Sequence, residues 1–329
     1  MKPSDESTVS IGLAVYNEEH FLRQTLESLL AQDYQNLELV ISDNASTDGT
    51  SRICQEFVNL DRRVRYERNT TNLGCIKNFN QALALSTGKY FMWAGGHDLW
   101  DPSFVARAVS QLEADPEVIL VYPRVMLIDR AGTELGVTSD ILDTRGLTPV
   151  QRYLKLIWDL QSCNMFHGLT RTQELRNWGL LRNVWGADIV LLGEFSLRGS
   201  FAQIPEVLFF RREVRPEVDQ NPQNWKQRAL ETMEGAHRSQ KREKSLEDLF
   251  REMRNEELKV IRHSTLNWPD KLRAFLETIY CARLRYAVRL PGDFFFRLAI
   301  TMRTPRLFVR KLALRIKRPL RAHQSDSRT

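Results

Sequence analysis

The sequence predicts an α/β fold: a mostly parallel sheet flanked by helices, followed by a helical C-terminal region. Short β-branched runs alternate with amphipathic stretches through the first ~120 residues. The connections are short, and polar residues gather where each apolar run stops.

Val9 to Val15 reads as a buried strand ending at Asn17. A helix follows, with Phe21, Leu22, Leu26, Leu29 and Leu30 on one stripe. Leu37 to Ser42 is a second strand. Ser46 to Thr50 is a turn into a helix carrying Ile53, Phe57 and Val58. Val64 to Tyr66 is a third strand, and Ile76 to Leu85 a helix broken by Gly88. Tyr90 to Trp93 is a fourth strand before a Gly-Gly turn. A helix runs from Pro102 towards Leu112, and Val118 to Tyr122 is a fifth strand. Beyond it, Met126 to Asp129 and Thr133 to Leu135 read as a hairpin. Pro149 to Leu160, Arg171 to Leu181 and Ala187 to Leu197 read as helices, and Ala202 to Arg211 as a strand. From Pro216 the chain is helical and charged, with turns near Trp268-Pro269-Asp270 and Leu290-Pro291-Gly292.

The chain has 329 residues, 42% apolar and 27% charged, an ordinary globular composition. No apolar run approaches the ~20 residues that span a bilayer. The polar start, Met1 to Glu6, lacks a signal-peptide core, so a cytoplasmic location is expected. Cys54, Cys75, Cys163 and Cys281 are widely spaced in apolar contexts. They read as buried thiols rather than zinc ligands. From Arg283 to Arg328, thirteen Lys or Arg residues stand against two Asp. This tail reads equally as a solvated face or a surface for anionic lipid, at the inner membrane face. No nucleic-acid motif accompanies it, and no nucleic-acid partner is expected.

In a parallel sheet, ligands bind beyond the carboxyl ends of the strands. Function is therefore expected at Tyr16-Asn17, Asp43-Asn44 and Gly95 to Asp98. A carboxylate at Asp43 can accept a base N–H or a ribose hydroxyl; its bland alternative is a turn or helix cap. There is no GxGxxG after the first strand and no GxxxxGK[ST] anywhere. Phosphate must then be met by a metal or by basic side chains.

Val15-Tyr16-Asn17-Glu18-Glu19, Ser42-Asp43-Asn44-Ala45-Ser46-Thr47-Asp48-Gly49-Thr50, Asn72-Leu73-Gly74 and Gly88-Lys89-Tyr90 follow one another in order. Together they resemble glycosyltransferase family 2, which has the GT-A fold. The resemblance covers residues 8 to 215 or so. It implies a GT-A domain over 1–215, nucleotide-sugar binding in about 8–125 and an acceptor side in about 126–215, with 216–329 a basic helical region.

The resemblance implies a nucleotide-diphosphate sugar donor, a divalent metal (Mn²⁺ or Mg²⁺) and transfer with inversion to a carbohydrate or lipid-linked hydroxyl. Val15, Tyr16, Asn17 and Asp43 match the base-binding positions; Asn72, Lys77 and Asn78 fall near the ribose and sugar. The family's Asp-x-Asp is altered: Gly95 and His97 stand in its place, and Asp98 follows. His97 and Asp98 are the candidate metal ligands, with His97 alternatively bonding phosphate or sugar. Asp188 opens a helix at the position of the catalytic base, with Glu194 a weaker rival. Arg211 and Arg212, at a strand end, are candidates for the leaving diphosphate. Asn164 and His167-Gly168-Leu169-Thr170-Arg171 resemble the acceptor-side segment; Gly168 suggests close backbone approach, and His167 reads as a packed or surface histidine. The competing reading is a non-catalytic nucleotide-sugar-binding protein that keeps the fold.

Overall fold

The computed structural model describes residues 7–139, 141–178, 180–214 and 245–286. Nine strands among them form one sheet. They are β1 (Val9–Val15), β2 (Leu37–Asp43), β3 (Val64–Arg68), β4 (Tyr90–Gly95), β5 (Leu99–Trp100), β6 (Val118–Ile128), β7 (Glu134–Val137), β8 (Leu169–Arg171) and β9 (Ser200–Arg212). Their order is β3-β2-β1-β4-β8-β6-β9-β5, with β7 on the second half of β6. β3, β2, β1 and β4 are parallel, as are β6 and β9. The short β8 joins these halves by pairing antiparallel with both β4 and β6.

The helices are α1 (Leu22–Leu30), α2 (Thr50–Leu60), α3 (Cys75–Ala84), α4 (Phe104–Ala114), α5 (Pro149–Asp159), α6 (Thr172–Trp178), α7 (Ala187–Arg198), α8 (Leu246–His263) and α9 (Trp268–Tyr286). Strand side chains alternate, so each strand feeds two cores. Tyr90, Met92 and Ala94 of β4 join Ile11, Leu13 and Val15 of β1 under α1, α2 and α4. Phe91 and Trp93 point the other way, into a core with Leu83 of α3 and Leu191 and Phe195 of α7.

A third core joins Val150, Tyr153 and Val190 of α5 and α7 to Met253, Val260, Ala274 and Cys281 of α8 and α9. Among the described residues, α8 and α9 thus pack onto the same compact unit as the sheet. The basic tail beyond it, including the turn at Leu290-Pro291-Gly292, lies outside the described residues.

Two helical expectations change. Arg171 belongs to β8, because Leu169 to Arg171 fill the gap between β4 and β6; α6 begins only at Thr172. Trp268-Pro269-Asp270 forms the first turn of α9, where proline lacks no needed N–H. The hairpin arm at Met126 is the end of the long β6. Gly168 does sit against backbone: a Cβ there would lie 2.6 Å from the Val121 carbonyl oxygen.

Candidate functional site

The carboxyl ends of β1, β2 and β4 lie side by side. Val15 is in register with Asp43, and Ala14 with Gly95. The loops leaving β1 and β2 are stapled together. Asn17 takes a left-handed conformation, φ 55°, and its N–H donates to Ser46 Oγ at 3.0 Å. Its Oδ1 accepts from the Thr47 N–H at 2.8 Å, and the Glu18 N–H reaches Thr50 Oγ1 at 2.8 Å. Ala45 is left-handed too, φ 61°. This bracing leaves the Tyr16 ring 44% exposed beside the strand ends, where a planar base can stack.

Asp43 is fully buried. Its Oδ1 accepts from the Ser46 N–H (2.9 Å) and Oγ (2.6 Å). Its Oδ2 accepts from Tyr66 Oη at 2.7 Å and faces Arg68 Nε at 3.3 Å. Asp43 therefore shapes the β2 loop as a turn-former and ion-pair partner. It can meet a ligand directly only by giving up one of these bonds. Asn78 is likewise engaged: Oδ1 accepts from Ser42 Oγ and Asn69 Nδ2, and Nδ2 donates to the Ser42 carbonyl. Asn72 Oδ1 accepts from Asn44 Nδ2 and the Gly74 N–H, closing the loop before α3. Lys77 is exposed on the first turn of α3.

After β4 the chain turns through Gly95, Gly96, His97 and Asp98. A Cβ at residue 95 would lie 2.9 Å from Asp98 Oδ2, and one at 96 would lie 2.8 Å from Glu18 Cγ. The glycines make room for these two carboxylates. His97 Nδ1 lies 3.1 Å from Glu18 Oε1. Burial pushes the His97 pKa down, but the Glu18 hydrogen bond and the charges of Asp98 and Glu18 outweigh it and leave it raised.

Asp98 is 3% exposed and its Oδ1 accepts from the Arg212 N–H at 2.9 Å. The Arg212 guanidinium donates to the carbonyls of His97, Asp129 and Arg130 and to Gln24 Oε1. With its face on the Phe21 ring, it is a buried strap and not a free cation for a leaving group. Arg211 is different. It is part-exposed, donates to Asn164 Oδ1 at 3.0 Å and lies near Glu213. Its charge is felt by both His97 and His167.

His167, read from the sequence as a packed or surface histidine within the acceptor-side segment, belongs to this group. Its Nδ1 lies 3.0 Å from the Trp93 carbonyl oxygen, which can only accept, so Nδ1 carries the proton. Burial lowers its pKa, so the ring is neutral with Nε2 as an acceptor. Glu18 was also missed as a functional position. Its partner His97 is 79 residues away, beyond the reach of any local pattern.

Asp188 sits in the first turn of α7, behind Gly186 at φ 73°. Its Oδ1 accepts the Ile189 N–H at 3.0 Å. Its charge reaches Cys75, the first residue of α3, whose thiol is pushed up to about 12 by burial and by Asp188. Asp188 thus lies within electrostatic reach of Cys75. Glu194 faces away into ion pairs with Arg182 and Arg198.

The donor set does not fit a resident divalent ion. Asp98 already gives Oδ1 to Arg212, and the preceding motif positions are Gly95 and His97, with His97 Nδ1 turned to Glu18. No group of three His, Cys, Asp or Glu suited to a metal occurs among the described residues. With Asp98 Oδ1 held by Arg212, and Gly95 and His97 at the motif's acidic positions, Asp98 and His97 make a poor donor set for a hard divalent ion.

Residues 10–162 match the family described as Glycosyl transferase family 2. A 125-residue segment is 34% identical to EpsE of Bacillus subtilis, covering 38% of this chain and 45% of that one. A Haemophilus influenzae protein classed as a glycosyltransferase is 33% identical over 110 residues, covering 33% of this chain and 34% of its own. The chain thus spans less than half the length of these curated relatives. S. aureus TarS in complex with UDP-GlcNAc superposes with a TM-score of 0.63 at 16% identity, over 84% of this chain and 73% of that one. At that identity the likeness speaks for the fold. Residues 10–162 of this chain thus resemble glycosyl transferase family 2, and the chain has a GT-A-like fold.

Proposed function

We propose that this chain is an inverting glycosyltransferase that moves a sugar from a nucleotide-diphosphate donor to a hydroxyl acceptor. The observation that carries the reading is the convergence of in-register strand ends at Val15, Asp43 and Gly95 beside the exposed Tyr16. The base stacks near Tyr16, over the loop that Asn17 and Asp43 hold in shape. Asn72, Lys77 and the turn fixed by Asn78 flank the ribose and sugar. Asp188 accepts the proton of the acceptor hydroxyl as its oxygen attacks the anomeric carbon. The bond from that carbon to the diphosphate oxygen breaks, and the configuration inverts. Arg211 and Lys77 supply positive charge to the departing diphosphate, and His97 can hydrogen-bond it.

The acceptor is a carbohydrate or a lipid-linked sugar in cell-surface polysaccharide or glycolipid synthesis. The cationic excess between Arg283 and Arg328 supports work at an anionic, cytoplasmic membrane face. No helix among the described residues is long and apolar enough to cross a membrane.

The test combines a thermal-shift screen of UDP-, GDP- and dTDP-sugars with a transfer assay on wild type and Asp188→Ala. A ligand at a hundred times its Kd adds ~2.7 kcal/mol to stability. Stabilisation by one donor class, with turnover lost in Asp188→Ala, is the expected result. A second reading, binding without catalysis, is favoured by Gly95 and His97 where acidic residues were expected. It predicts the same thermal shift with neither transfer nor donor hydrolysis in wild type.

A further inference from the structure

Helix α9 buries one face and leaves another bare. Ala274, Thr278, Cys281 and Ala282 are 0 to 5% exposed, packed on the core with α5 and α7. Trp268, Leu272 and Phe275 are 73%, 44% and 40% exposed. They stand at i, i+4 and i+7, so they share one stripe of the helix. Large apolar side chains so exposed, and aligned rather than scattered, mark a contact surface.

The charges around the stripe are mostly positive. From Lys259 to Phe275, the cations Lys259, Arg262, Lys271 and Arg273 stand against Asp270 alone. The Lys271 ammonium donates to the Arg262 carbonyl at 3.0 Å, which ties the end of α8 to the start of α9. The carboxylates of α8 lie from Glu247 to Glu257, and Glu256 pairs with Lys259 at 2.7 Å. Downstream, Glu277 is followed by thirteen cations against two carboxylates from Arg283 to Arg328.

We propose that Trp268, Leu272 and Phe275 form an insertion patch for an anionic lipid surface. This rests on the membrane-facing reading above and names the residues that enter the lipid. The chemistry fits. Trp and Phe side chains settle at the headgroup and acyl boundary, while flanking Lys and Arg pair with lipid phosphates. A second copy of the chain fits less well. Three side chains of at most ~250 Å² each fall short of the ~800 Å² per partner that a stable interface buries. The patch is small because the lipid-binding energy is shared between apolar insertion and distributed charge.

The test is vesicle flotation of the full-length chain, using phosphatidylcholine vesicles with and without phosphatidylglycerol. Wild type is compared with the triple variant Trp268→Ala, Leu272→Ala, Phe275→Ala, with folding checked by thermal melting. Wild type floats with the anionic vesicles, and the triple variant binds at least ~10-fold more weakly. A second measurement uses brominated lipid. Vesicles quench part of the wild-type tryptophan emission, and Trp268→Phe removes that part while still floating. If wild type floats and the triple variant floats equally, the patch is not the insertion site and the membrane reading survives. If wild type does not float, both fail together. If the Trp268 share of emission resists acrylamide before vesicles are added, the chain covers its own patch and the proposal is overturned. Concentration-dependent dimerisation lost in the triple variant would overturn it in favour of a second copy.

Discussion

The Arg212 backbone N–H holds Asp98 Oδ1 at 2.9 Å, while the Arg212 guanidinium holds the carbonyl of the residue before Asp98. One residue thus fixes the far end of the turn after β4 through two bonds. It also ties that turn to the carbonyls of Asp129 and Arg130 and to Gln24 on α1. Arg212→Ala removes the guanidinium bonds to these part-buried acceptors and should cost ~1–3 kcal/mol, read as a shift in urea midpoint. Arg212→Lys recovers only part, because one ammonium cannot span the fork. An Ala variant as stable as wild type would show that the strap is ornamental.

Asp188 tests the chemistry separately from the fold. Asp188→Asn keeps an oxygen for the Ile189 N–H and removes the base. Turnover should fall ~10²- to 10⁴-fold. Donor affinity by calorimetry should stay within ~2-fold, since the change removes a group that acts on the acceptor. Equal losses in donor binding and turnover would move Asp188 to the donor side.

Strand ends were legible in the sequence because apolar runs stop there, and that located Val15, Asp43 and Gly95 correctly along the chain. The bonding state of the side chains was not legible. Asp43 and Asn78 each satisfy partners that come from other loops, Tyr66 and Asn69 among them. Arg212 differs from Arg211 only by strand alternation, which turns one guanidinium inward and leaves the other part-exposed. Strand β8 escaped notice because three residues carry no period, and its place depends on the gap between β4 and β6. Glu18 and His97 meet only once β1 and β4 are neighbours.

Gly168 has an ordinary φ of −76°, so its requirement is space alone. A methyl there would meet the Val121 carbonyl oxygen at 2.6 Å and Leu120 Cδ1 at 3.0 Å. Gly168→Ala must push β8 from β6, and should cost ~1–3 kcal/mol. His167 precedes it, so turnover should fall as well. A melting temperature unchanged from wild type would show that the sheet yields freely there.

Glu38 lies at the other end of the sheet, opposite Ser10 in register. Burial pushes its pKa up, but bonds from Ser10 Oγ, the Thr87 N–H and Oγ1, and Arg65 outweigh this and hold it below its usual 4.5. A carboxyl depressed in the folded state adds stability above the unfolded value. That stability is lost as pH falls through the folded value. Melting curves from ~pH 6 to ~pH 3 should therefore fall more steeply for wild type than for Glu38→Gln. Parallel curves would remove Glu38 from the acid response.

Charge on the donor's diphosphate must be met, and the turn after β4 offers histidine and glycine where carboxylates would hold a cation. Restoring a side chain at 95 is obstructed, since its Cβ would press on Asp98 Oδ2 at 2.9 Å. Among the described residues the cations at the site are then Arg211, part-exposed at the end of β9, and Lys77, exposed on α3, beside His97, whose pKa Glu18 raises. Arg211→Ala should reduce turnover ~10²- to 10³-fold, the usual loss when one donor to a developing anion is removed. Wild-type turnover in EDTA should stay within ~2-fold of that in Mn²⁺, because Gly95 and His97 replace the motif's carboxylates and Asp98 Oδ1 is held by Arg212. The two measurements decide together. Turnover lost in EDTA and restored by Mn²⁺ would mean that substrate phosphates complete a metal site around Asp98. Turnover that survives EDTA and collapses in Arg211→Ala, with no rescue by Mn²⁺, would place the leaving-group charge on the protein itself.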